Sequence, residues 1–118
     1  MGLRKTEQWH LRVPPSAVSR HMAAALRGLM LDVEESPERV VGKAKMALAK
    51  NRHSFTIIFD FHPAGNETTA VVTLEMNGNK QDAVFKEVAD ATGQDNIAGH
   101  VVTRPDADNM TKLEKMTA

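Results

Sequence analysis

Apolar and polar residues alternate with a period of two through several parts of this chain. The clearest case is Phe55-Thr56-Ile57-Ile58-Phe59-Asp60-Phe61. In an extended strand, Phe55, Ile57, Phe59 and Phe61 share one face, and Thr56, Ile58 and Asp60 the other. A breaker cluster follows, Pro63-Ala64-Gly65-Asn66, and then a second alternating run from Ala70 to Met76. The two runs predict a hairpin with one apolar face. Setting Phe61 opposite Ala70 places Phe59 beside Val72 and Ile57 beside Leu74.

Glu7 to Val13 alternates too, with Trp9, Leu11 and Val13 on one side, and Pro14-Pro15 predicts its end. Ser16 is placed to cap a helix. Val18, Met22, Ala25, Leu26 and Leu29 then follow helical spacing, with Arg20 and Arg27 toward water and Gly28 at the exit. Leu29, Leu31 and Val33 alternate with Met30, Asp32 and Glu34, which predicts a short second strand.

Residues 36–50 fit two templates. Val40, Val41, Ala44, Ala47 and Leu48 suit a helix face, and Ala and Lys favour helix. Val40, Gly42, Ala44, Met46 and Leu48 alternate against Lys43 and Lys45, and Asn51 to Ser54 form a loop leading into Phe55. Gly42 in mid-helix would cost about 1 kcal/mol relative to alanine, so strand is the reading taken. Pairing Leu48 with Phe55 then sets Ala44 opposite Phe59, Gly42 opposite Phe61, and Lys43 opposite Asp60 as an ion pair.

A second helix follows Asn77-Gly78. Val84, Phe85, Val88 and Ala91 form its apolar side, Lys80, Asp82, Lys86, Glu87 and Asp90 its polar side, and Gly93 its close. Beyond it Ile97, Val101 and Val102 are candidates for docking. The expected fold is α+β, an antiparallel sheet of four to five strands with two helices on one face, in the order β-α-β-β-β-β-α. Residues 1–103 form a single domain, and 104–118 a mobile tail that orders on a partner.

Composition narrows the function more than it names it. The 118 residues carry 15 basic and 15 acidic side chains, so no net charge draws the chain to nucleic acid or to an anionic membrane. There is no cysteine, which excludes disulfides, thiolate catalysis and cysteine zinc sites. No signal peptide or membrane span is visible, and a cytoplasmic protein is expected.

No motif for catalysis stands out. His53 and His62, at opposite ends of one strand, lie roughly 30 Å apart and cannot share an ion. There is no His-Glu-x-x-His for zinc. Asp60 and His62 point the same way, a carboxylate beside an imidazole, but no serine elbow or cysteine accompanies them. Gly78-Asn79-Lys80 offers one glycine and one lysine at a helix start, a weak version of an anion site. Neither a catalytic residue, a metal nor a cofactor is therefore expected.

The candidate interaction surface is the outer sheet face, with Val41, Lys43, Lys45, Ile58, Asp60, Val71 and Thr73. It suits a protein partner or a second copy as a homodimer. The alternative is a small apolar ligand held between sheet and helices and lined by Met22, Met46 and Met76. A third reading, nucleic acid on Arg12, Lys43, Lys45 and Arg52, lacks outward aromatic side chains for base stacking.

The order of elements, with Val40-Val41-Gly42-Lys43, the Phe55–Phe61 strand and the Gly78-Asn79-Lys80 helix start, resembles small bacterial helix-plus-sheet domains of unknown function. It is similar in outline to the TATA-binding-protein-like and START/Bet v 1-like (helix-grip) folds, over about residues 7–93. The resemblance implies a long curved sheet against a C-terminal helix. It assigns no functional residue.

Overall fold

The computed structural model describes residues 3–44, 54–76, 81–94 and 102–103. The elements are β1 (Leu3–Leu11), α1 (Val18–Gly28), β2 (Asp32–Glu35), β3 (Arg39–Ala44), β4 (Phe55–Ala64), β5 (Glu67–Met76), α2 (Gln81–Gln94) and β6 (Val102–Thr103). The strands make one sheet in the order β2-β3-β4-β5-β1-β6, and every pairing is antiparallel. The fold is the expected α+β order of strands and helices. The two-residue β6 is added at the edge, with Val102 opposite Leu11.

The β4–β5 hairpin has the predicted register, Phe61 opposite Ala70, Phe59 opposite Val72 and Ile57 opposite Leu74. Its turn is tighter than the breaker cluster suggested. Ala64 pairs with Glu67, leaving Gly65-Asn66 as a two-residue loop with Gly65 at φ +66° in the first central position. Glycine at that position is the requirement of a type II′ turn. Pro63 continues the strand because its missing N–H breaks no ladder bond. Phe61, two residues earlier, donates its amide to the Glu38 carbonyl at 3.0 Å, just beyond β3. The Pro63 nitrogen faces the same side, past the end of β3.

Residues 39–44 are extended, so strand prevails over helix for the part of 36–50 that is described. The β3–β4 register, however, differs from the expected one by four residues. Ala44 lies opposite Phe55, Gly42 opposite Ile57 and Val40 opposite Phe59. Lys43 therefore faces Thr56, and Arg39 rather than Lys43 pairs with Asp60. A slip by an even number keeps the same side chains inward, so alternation alone does not select between the two registers.

Other boundaries shifted for local reasons. β1 starts at Leu3 because β5 extends far enough to pair with it, Leu3 facing Met76. Ser16 does not cap α1. The N-cap is Ala17, without a side-chain cap bond, and the helix is entered through a turn closed by Ala17 N–H to the Pro14 carbonyl at 2.9 Å. Gly93 lies inside α2, which runs on to Gln94.

One continuous core joins the inner sheet face to both helices. Val18, Met22 and Leu26 of α1 and Phe85 and Val88 of α2 pack on Val40, Ile57, Phe59, Val72, Leu74 and Trp9. Phe61, Ala70 and Trp9 form one cross-strand row, so the small Ala70 gives two aromatic neighbours room. Trp9 meets Phe59 edge-on at 5.5 Å and Phe85 at 6.2 Å between ring centres, an arrangement worth more than area burial alone. Gly42 lets α1 approach β3: a Cβ there would stand 3.0 Å from Leu26 Cδ1 and 3.2 Å from Leu31 Cδ1.

Candidate functional site

Both described helices lie on the inner face, so among the described residues the outer face is built by the intervening strand positions. Cross-strand pairing sorts it into rows. The first row reads Asp32, Lys43, Thr56, Glu75, Arg4 across β2, β3, β4, β5 and β1. The second reads Glu34, Val41, Ile58, Thr73, Thr6, and the third contains Arg39, Asp60, Val71 and Gln8. Val41, Ile58, Val71 and Thr73 are half-buried by their neighbours, while Lys43 and Arg39 stand exposed.

The structure thus brings together the predicted surface residues Val41, Lys43, Ile58, Asp60, Val71 and Thr73 on adjacent strands. Lys45 lies outside the described residues. Val41, Ile58 and Val71 make a small apolar centre, framed by charge. Asp60 is engaged by Arg39, whose Nε donates to Oδ1 at 2.6 Å. That hydrogen bond, and then the opposite charge, holds the Arg39 guanidinium above its usual range. Arg4 donates twice to Glu75 Oε1, at 2.7 and 3.2 Å.

Farther along, His10 pairs with Glu67. Sequence reasoning missed this contact. His10 faces Thr69, two positions from Glu67 on the same side of β5, and only the β1–β5 register reveals the diagonal.

The predicted ligand lining takes another role. Met22 and Met76 are buried within the core, and Met46 lies outside the described residues. A cleft of about 410 Å³ opens at the end of the sheet, walled by Pro15, Val18, Pro37, Phe61 and Pro63, with Glu38, Asp60 and His62 at its polar side. Neither methionine lines it. Asp60 and His62 both line it, but the Asp60 carboxylate accepts from Arg39, and no serine or cysteine is among its described lining residues.

The basic set does not assemble either. Arg12 follows the end of β1, eight residues beyond Arg4, which shares a row with Lys43. Arg12 and Lys43 therefore occupy opposite corners of the face, more than roughly 25 Å apart. Arg52, like Lys45, lies outside the described residues. Among the described residues no three His, Cys, Asp or Glu side chains converge as a metal site, and no helix is long and apolar enough to cross a membrane.

Between sheet and helices the buried polar side chains include Glu7 and His21, neither of which the hydrophobic pattern marked as buried. Glu7 is buried beside Trp9, whose Nε1 donates to Glu7 Oε1 at 2.8 Å. The signal was present, since Glu7 shares its strand face with Trp9 and Leu11. His21 is buried where the helices meet, its Nε2 lying 2.7 Å from the Thr92 carbonyl of α2.

No family model and no curated protein matches this chain. Among solved structures, a crystal structure of an HSP90 activator from Plasmodium falciparum is similar at 18% identity. The match covers 80% of this chain and 89% of that one, with a TM-score of 0.39.

Proposed function

We propose that this chain is a non-enzymatic, cytoplasmic interaction module that binds protein through the outer face of its sheet. One observation carries the reading. The described helices pack on the inner face, while the outer face sets Val41 beside Ile58 and Val71 diagonal to it at its centre, with paired charges around them. An apolar centre in a polar rim is the usual anatomy of a protein-binding surface. The absence of cysteine suits a reducing compartment. On this face Glu75 and Asp60 are paired with Arg4 and Arg39 rather than poised beside a nucleophile, which supports binding over catalysis.

Photo-crosslinking in cells tests this. A crosslinking residue at position 58 should give a discrete protein adduct, and the same residue at the exposed helical position 24 should not. No adduct from position 58, or the same adducts from both, would overturn the reading.

A further inference from the structure

We infer that the partner on this face is a second copy of the chain, stacked sheet against sheet about a two-fold axis that runs along β4. The inference rests on the interaction reading above and names its occupant from the charge order of the sheet. Across β2, β3, β4, β5 and β1, β4 is central. The first outer row is Asp32, Lys43, Thr56, Glu75, Arg4. Its signs are negative, positive, neutral, negative, positive. A two-fold axis along β4 lays this row on its own reversal. Asp32 then meets Arg4 of the second copy, Lys43 meets Glu75, and Thr56 meets Thr56. Every charge in the row faces its opposite, and neighbours within the row also alternate, giving a checkerboard.

The same operation treats the next row consistently. Ile58 stacks on Ile58 of the second copy at the axis, and Val41 lies over Thr73. This places Ile58 at the centre of an isologous contact, with Val41 beside it, while Val71 lies under the aliphatic stem of Arg39 of the second copy. In the third row the two Asp60 side chains approach each other, and each is already neutralised by Arg39 at 2.6 Å. The geometry tolerates ordinary sheet packing. Aligned sheets stack about 10 Å apart with strands turned by about 30°. With the axis inclined by about 15° to β4, that turn displaces Lys43 from Glu75 by roughly 2.4 Å and Asp32 from Arg4, two strands out, by roughly 5 Å, within the reach of the long lysine and arginine side chains. Reversal of the row on an unrelated partner would be coincidence; on a copy it follows from the strand registers of the fold.

Sedimentation equilibrium of the whole chain with paired charge variants tests the arrangement. The wild type should dimerise, and more weakly as salt rises. Lys43→Glu and Glu75→Lys, each alone, set like charges together twice per dimer and should weaken it by roughly tenfold or more. An equimolar mixture of the two variants restores both contacts, and heterodimers should re-form. Melting curves of each variant establish that it is folded, and Lys43→Gln with Glu75→Gln serve if a reversal is not, each weakening the dimer less. A wild type that stays monomeric at low salt would overturn the inference, as would variants that leave the dimer intact or a mixture that fails to recover. The adduct mass from position 58 separates the two readings. Twice the 13.0 kDa chain mass supports self-association. A different mass sinks the homodimer and leaves the interaction reading standing, and no adduct sinks both.

Discussion

Asp60 on β4 accepts a hydrogen bond from Arg39 on β3 at 2.6 Å, the two residues lying directly opposite each other in the antiparallel pair. The contact marks the register of the β3–β4 edge on the outer surface. It also takes a carboxylate out of competition for other partners at the centre of that surface.

A double-mutant cycle on Arg39 and Asp60 should therefore give a small favourable coupling, as an exposed pair does. The same cycle on Lys43 and Asp60 should give none within error. Urea unfolding measures both, and coupling found only in the second cycle would contradict the register.

Met30 is expected to be a weak point. α1 ends in a Schellman motif, with Leu31 N–H to the Leu26 carbonyl at 3.2 Å and Met30 N–H to the Arg27 carbonyl at 3.0 Å. Met30 occupies the left-handed position of that motif, at φ 66°, and is 89% exposed. Met30→Gly should stabilise the fold by about 0.5–1 kcal/mol, the released strain partly offset by added freedom of the unfolded chain. An unchanged or lowered urea midpoint would refute this.

Gly42 should resist enlargement. Its missing side chain is the space occupied by Leu26 and Leu31, both buried. Gly42→Ala should destabilise by about 1–2 kcal/mol and Gly42→Val by more, because the packed leucines have little room to yield. Thermal unfolding of the pair of variants gives the order directly.

Trp9→Phe should cost about 2–4 kcal/mol. The change leaves a void between Phe59 and Phe85 and withdraws the indole N–H from the buried Glu7 carboxylate. Adding Glu7→Gln to Trp9→Phe should recover part of the loss, since a neutral amide is less costly to bury without that donor. A double variant as unstable as the sum of the singles would argue against a direct link.

His21→Ala should loosen the helix pair more than the sheet. The imidazole bridges α1 to the Thr92 carbonyl at 2.7 Å. The variant should lose about 1–3 kcal/mol and show faster hydrogen exchange in α2 than in β4 and β5. Uniform acceleration across all elements would mean that the bridge has no local role.

Most of the fold could be read from alternation. Phe55, Ile57, Phe59 and Phe61 announce a strand with one buried face, and the Gly65-Asn66 turn is short enough to lock that strand to β5 in one register. The predicted outer-surface residues fell together for the same reason, since parity alone places Val41, Ile58 and Val71 on one side. Parity was equally available for Glu7, whose burial beside Trp9 was overlooked because a carboxylate reads as a surface residue.

Side-chain sorting within each strand is a local property, dictated by the backbone's two-residue repeat, and the sequence determined it unaided. How far one strand slides along another is not local. Two turn residues leave β4 and β5 no freedom, but the longer connection between β3 and β4 is compatible with an even shift, which keeps the same side chains facing inward. The choice among those shifts fell to packing: Gly42 sits where Leu26 and Leu31 cross the sheet, and that position carried Arg39 to Asp60 and Lys43 into the row of Glu75 and Arg4. The order of charges on the outer face is thus a product of the tertiary structure, because only helix-against-sheet contact distinguishes registers that look identical along the chain.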